Sequence, residues 1–161
     1  MKKGYIWAIV LVAAIIFGIV LVIVQCSADD EFTKNVKLEE SGIVRENLHF
    51  SATGLRPGDT RDYTIIVTPE ADAVYVLALD FEEENDGGLR DFIDVTLSYG
   101  DTVVETTLTE LFAGKTVSFE CDISKKVPAR IHVVFSMSLD VGNEAQGATS
   151  DFGTYLTATR K

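Results

Sequence analysis

Five stretches of this sequence alternate apolar and polar residues with a period of two. Leu48, Phe50 and Ala52 alternate with His49 and Ser51, and Tyr75, Leu77, Leu79 and Phe81 share one phase. Ile93, Val95, Leu97 and Tyr99 share another, Val117, Phe119, Cys121 and Ile123 a third, and Ile131, Val133, Phe135, Met137 and Leu139 a fourth. Side chains two apart in an extended chain point the same way, so each set predicts a half-buried strand with its apolar row inward. The runs Asp62–Thr68, Thr102–Thr106 and Phe152–Thr159 are rich in the β-branched and aromatic residues that suit a pleated surface, and they predict three more strands. Short strands separated by turns at this density imply an all-β fold, an antiparallel β-sandwich of jelly-roll or immunoglobulin-like type.

The punctuation agrees with that reading. Arg56-Pro57-Gly58-Asp59 predicts a tight turn, with proline fixing φ at the first corner and glycine accepting a positive φ at the second. Asn85-Asp86-Gly87-Gly88 and Tyr99-Gly100-Asp101 predict two others. Only Leu108–Ala113 resembles a helical turn, with Thr107 or Thr109 as its cap. Residues 27–46 are polar and weakly patterned, and read as a linker in which Val36–Leu38 adds an edge or donor strand. Residues 47–161 then make up the sandwich domain.

The start of the chain is of another kind. From Tyr5 to Val24 there is no charge, with Lys2 and Lys3 before the run and Asp29, Asp30 and Glu31 after it. Twenty residues at about 1.5 Å each match a hydrocarbon core of about 30 Å. The flanking lysines orient the N-terminus to the cytoplasm and everything after Val24 outside it. Residues 1–26 therefore read as a transmembrane helix holding the chain in the membrane through residues 5–24, or as a signal peptide. The length of the run favours retention, whereas the small residues of Cys26-Ser27-Ala28 suit cleavage after Ala28. The protein is thus expected at the cell membrane with an extracytoplasmic C-terminal domain, or secreted to the cell surface if cut.

Charge and cysteine content narrow the partners. All 25 acids, but only 12 of the 14 basic residues, follow the leader, which leaves a formal charge of −13. Such a surface repels nucleic acid and anionic lipid. Cys26 lies at the membrane boundary and Cys121 is alone in the domain, so no disulfide can form within it and stability must come from the core.

No catalytic, cofactor-binding or metal-ligating residue is assigned, and no cofactor is implied. His49 and His132 both fall on the outward phase of their strands, neither with a second histidine at zinc-ligand spacing. Cys121 keeps phase with Val117 and Phe119, which predicts a buried, inert thiol. The acidic run Asp80, Glu82, Glu83, Glu84 and Asp86 partly mimics a calcium loop. Its sixth position is Asn85 rather than glycine, however, and the run reads as the solvated acidic end of a hairpin.

Two motifs carry a family resemblance. Gly142-Asn143-Glu144-Ala145-Gln146-Gly147 leads into the last strand, which ends in Ala158-Thr159, and Leu55-Arg56-Pro57-Gly58-Asp59-Thr60 leads into the strand through Tyr63 and Ile65. In this order they resemble the TasA/camelysin family of exported β-sandwich proteins, over roughly Leu48 to Thr159. The glycines free the backbone around Asn143 and Gln146, whose amides are expected to bind main-chain groups in the loop. The resemblance implies a surface or biofilm-matrix protein, some members of which polymerise by donating an N-terminal strand to the next subunit. Here the donor is Asp30–Leu38. The metallopeptidase activity ascribed to camelysin-like members is not carried over, because no ligand set for it exists in this sequence. The expected function is therefore non-enzymatic: a structural or adhesive envelope protein that assembles into fibres. The alternative is a membrane-tethered extracytoplasmic module that recognises a protein or glycan partner.

Overall fold

A computed structural model of the chain describes residues 32–39, 44–51, 54–142, 145 and 149–161. The leader, residues 40–43, and Asn143 and Gln146 lie outside the described residues. Among those described, no helix is long and apolar enough to cross a membrane.

The described residues form nine strands: β1 (Phe32–Leu38), β2 (Val44–Ser51), β3 (Thr60–Pro69), β4 (Ala73–Gly87), β5 (Ile93–Tyr99), β6 (Thr102–Thr107), β7 (Val117–Ile123), β8 (Ala129–Met137) and β9 (Thr149–Arg160). They form a five-stranded sheet in the order β1-β3-β8-β5-β6 and a four-stranded sheet in the order β2-β9-β4-β7. Every pairing is antiparallel except that of β1 with β3, which is parallel. The fold is the expected β-sandwich, and the predicted phases hold. Tyr75, Leu77 and Leu79 on β4, Ile93, Val95 and Leu97 on β5, the four odd residues of β7 and the five of β8 from Ala129 to Met137 are all buried.

The centre of the core is aromatic. Phe135 of β8 lies 5.2 Å from the Phe152 ring of the opposite sheet, 5.6 Å from Tyr63 and 6.0 Å from Phe50, centre to centre. Phe152 in turn meets Phe112 at 5.8 Å and Phe81 at 6.3 Å. Offset and edge-on rings at these separations add to what their burial already contributes.

Local chemistry sets the connections. In the Arg56–Asp59 turn the Asp59 N–H donates to the Arg56 carbonyl (2.8 Å), and Gly58 has φ of +88° at the corner that requires it. Gly100-Asp101 closes the β5–β6 hairpin, again with a positive φ on the glycine. The short helix α1 (Leu108–Phe112) is capped by Thr107, whose hydroxyl accepts from the Glu110 N–H at 3.2 Å, while Leu108 and Leu111 enter the core.

Three features depart from the sequence reading. Leu139 is not part of the β8 row: the strand ends at Met137, whose backbone is tied to Gly58 and Asp59, and the chain then turns. Leu139 is left 80 % exposed, leaning over Gly58. Asn85-Asp86-Gly87 is not a turn, because β4 continues to Gly87 across a bulge between Glu83 and Asn85, paired with β9 as far as Thr149. The acidic run accordingly lies within a strand and is not a hairpin end. Finally, the edge strand expected at Val36–Leu38 is present but longer than read: it is the seven-residue strand β1, whose Val36 and Leu38 are 1 % and 0 % exposed.

Candidate functional site

The outer face of the four-stranded sheet carries His49, Asp80, Glu82 and Glu84 among the polar side chains that the sequence singles out. On β4, Asp80 and Glu82 occupy its outward positions, and the bulge after Glu83 re-aims the strand. The hydroxyl of Thr116 donates to the Asp80 carboxylate. In register, β9 sets Gly153 between His49 of β2 and Glu82 of β4. A Cβ on Gly153 would stand 3.0 Å from Glu84 Oε1 and 3.2 Å from Asn47 Oδ1, so the absent side chain is what lets these two lie across the strand. Glu84 Oε1 is 3.3 Å from His49 Nδ1, and Asn47 Nδ2 donates to the Tyr155 hydroxyl at 3.4 Å.

Glu83 points the other way. Its Oε2 accepts from Arg90 Nη1 at 2.9 Å, and its buried Oε1 has no hydrogen-bond partner among the described residues. Glu83 is thus set on the opposite side of the pleat from its neighbours Glu82 and Glu84, so the acids of the run do not share one face. Among the described residues no three His, Cys, Asp or Glu side chains are grouped to hold a metal ion.

The remaining candidates lie apart. His132 Nδ1 is 3.3 Å from Thr64 Oγ1 on the outer face of the other sheet, so the two histidines stand on opposite sides of the sandwich. Among the described residues, no hydroxyl or thiol is hydrogen-bonded to His49. Cys121 is fully buried between the sheets, with Sγ 3.7 Å from the Phe119 carbonyl. Burial pushes its thiol up to about 11, partly offset by a hydrogen bond from Tyr99. The Tyr99 phenol is itself raised, first by burial and then by Cys121 and Asp122. On α1 the carboxyl of Glu110 is lowered by its contacts with Lys115 and the Thr106 hydroxyl, and it serves the cap.

The outward phase of both histidines and the inward phase of Cys121 were legible from strand alternation. The meeting of His49 with Glu84 over Gly153 was not, because it depends on the register of β2, β9 and β4, which are distant in sequence. Chemically the face offers a fixed concentration of carboxylates beside one solvent-open imidazole.

No family model matches the sequence, and no curated protein matches it. Among solved structures, FlhE is similar at 13 % identity, covering 74 % of this chain and 99 % of its own, with a TM-score of 0.45. The pre-peptidase C-terminal domain of a collagenase from Bacillus anthracis shares 10 % identity over 80 % of this chain and 96 % of its own, with a TM-score of 0.39. PliG of Aeromonas hydrophila, a periplasmic inhibitor of g-type lysozyme, shares 7 % over 79 % and 99 %, with a TM-score of 0.36. At TM-scores of 0.45 and below, none of the three bears on the chemistry of this chain.

Proposed function

We propose that this chain is a non-enzymatic, exported protein of the cell envelope that serves as a structural or adhesive surface component. Where the leader is cut near Ala28, its copies join into fibres. The reading starts from the leader pattern of residues 1–26, which directs everything after Val24 out of the cytoplasm. It is carried by β1. This strand follows the leader closely, lies at the edge of its sheet as the one parallel member, and inserts Val36 and Leu38 into the core. An edge strand held by a single ladder can leave its own β3 and occupy the β3 of another copy in the same register, which is strand addition with a built-in donor. The likeness of the Pro-Gly-Asp and Gly-Asn-x-x-Gln-Gly segments to the TasA/camelysin family points the same way. The separation of the histidines and the burial of the Cys121 thiol support a role without catalysis.

The test is to delete residues 30–38 and size the secreted protein by light scattering, then add back a synthetic peptide of residues 30–38. High-mass assemblies should vanish on deletion, and the peptide should restore a folded monomer and cap it. Assemblies that persist unchanged without β1 would overturn the fibre reading.

A second reading has its own support. The carboxylates of Asp80, Glu82 and Glu84 on one sheet face suit a tethered module that recognises a basic protein partner. Neutralising Glu82 and Glu84 should then abolish that binding in a monodisperse monomer; undiminished binding would remove this reading.

A further inference from the structure

Strand β7 ends the four-stranded sheet, and its ladder with β4 runs without a bulge from Ala73↔Ile123 to Leu79↔Val117. The Lys161 N–H donates to the Val74 carbonyl, so Val74 faces β9, and its neighbour Tyr75 must face β7. Tyr75 is paired with Cys121. The odd residues of β7 are therefore the ones bonded to β4, in keeping with their near-complete burial. It follows that Ser118, Glu120 and Asp122 turn their N–H and C=O groups to the open edge, where, among the described residues, no strand pairs with them. Edge strands are commonly blunted by proline, lysine or a bulge. β7 has none of these.

It does have charge. Antiparallel self-pairing of β7 about its central residue would set Glu120 against the Glu120 of a second copy, which like-charge repulsion disfavours. A basic strand meets the opposite situation. At the Asp122 end of β7, where that strand meets the start of β4, lies a surface cavity of about 460 Å³ lined by Asp72, Val74, Asp122, Ser124 and Val127. Ser124 and Val127 hold its wall as a turn, their backbones bonded to each other at 3.0 and 3.1 Å, with the Lys125 N–H on Asp72 Oδ1. Val127 stays 64 % exposed there. Valine walls and two rim carboxylates are the environment for a lysine or arginine side chain, whose methylene stem covers apolar surface while its cation stays at the rim.

We propose that the free edge of β7 is a docking strand for an extended segment of a partner protein with lysine or arginine at alternate positions. The segment adds antiparallel to β7, its main chain bonding Ser118, Glu120 and Asp122. Its basic side chains face Glu120 and Asp122, and its last one enters the cavity beside Asp72. Lys161, which now pairs with Glu120, is displaced; both are more than half exposed, so that pair is easily exchanged.

The test uses the full chain in detergent micelles and a fluorescein-labelled Lys-Val-Lys-Val-Lys-Val-Lys peptide, read by anisotropy. Binding should weaken by about tenfold or more in a Glu120→Gln/Asp122→Asn variant, and should be unchanged in Asp94→Asn/Glu105→Gln, which neutralises two exposed acids of the other sheet. A second peptide of the same charge, N-methylated on the amides that would face β7, should also bind about tenfold more weakly, because only a main-chain ladder needs those N–H groups. Equal binding of the methylated peptide, or an equal loss in the Asp94→Asn/Glu105→Gln variant, would reduce the effect to general attraction and overturn the proposal. So would a peptide-free dimer whose formation is lost in the Glu120→Gln/Asp122→Asn variant, since a second copy would then be the occupant.

Discussion

Replacing Phe135 by alanine probes the join between the two sheets. The ring is fully buried at the middle of β8, a strand held on both sides by β3 and β5, and it touches the opposite sheet through Phe152 at 5.2 Å. Because both ladders fix β8, the backbone cannot close over the vacancy. A ring-sized void of about 80–100 Å³, at about 24 cal/mol per Å³, adds about 2 kcal/mol to a transfer loss of about 2 kcal/mol. The sum, about 4 kcal/mol, is a large part of the roughly 5–15 kcal/mol that holds a domain of this size together. The lone tryptophan lies in the leader, so unfolding in urea is best followed by far-UV circular dichroism of the full chain in mild detergent. A stability loss below about 1 kcal/mol would refute the sandwich packing described here. On the same strand, Arg130→Ala, which is exposed, should stay within about 0.5 kcal/mol and serves as the control.

Gly58→Ala should cost about 1–2 kcal/mol in the same assay, because φ of +88° is strained for any residue with a Cβ. The new Cβ would stand 2.7 Å from Leu139 Cδ2, the end of an exposed and movable side chain; adding Leu139→Ala should therefore recover little, and full recovery would mean that the clash governs. Cys121 gives a pH dependence. The buried thiol stays neutral up to about 11, whereas the unfolded one ionises near 9.0, so the unfolded chain loses its proton first and stability falls as pH rises between the two. The urea midpoint should drop across that window in the parent and less so in Cys121→Ala, and equal slopes would contradict the burial of this thiol. Native Cys121 should also resist iodoacetamide at pH 8, since ionisation alone slows it about 100-fold; rapid labelling of the folded chain would place it at the surface.

Much of this architecture was legible because local rules and the global fold agree. The β4, β5, β7 and β8 rows needed only the period of two, Cys121 included, and Thr107 and Gly58 sit where capping and turn chemistry want them. Leu139 misled because it extends the β8 row by one further step, and nothing local records that Met137 is tied to the Arg56–Asp59 turn. Asn85-Asp86-Gly87 reads as a turn by propensity, yet pairing with β9 overrides it and carries β4 onward. The parallel union of β1 with β3, like the His49–Glu84 contact over Gly153, depends on register between distant segments, which no single-strand pattern encodes. The acids of β4 were visible in the sequence as a run; the β7 edge and its neighbouring cavity required the sheet order.

Export followed by assembly through β1 is tested most directly by the N-terminal residue and intact mass of the native protein, taken from the host's cytoplasm, membranes and medium. The account predicts a mature chain that starts at Asp29 and is found in the medium or in high-mass assemblies at the surface. A chain that keeps Met1 and stays in the cytoplasm would contradict export. One that keeps Met1 in the membrane fraction would leave a tethered domain without a free donor strand, and would contradict fibre assembly.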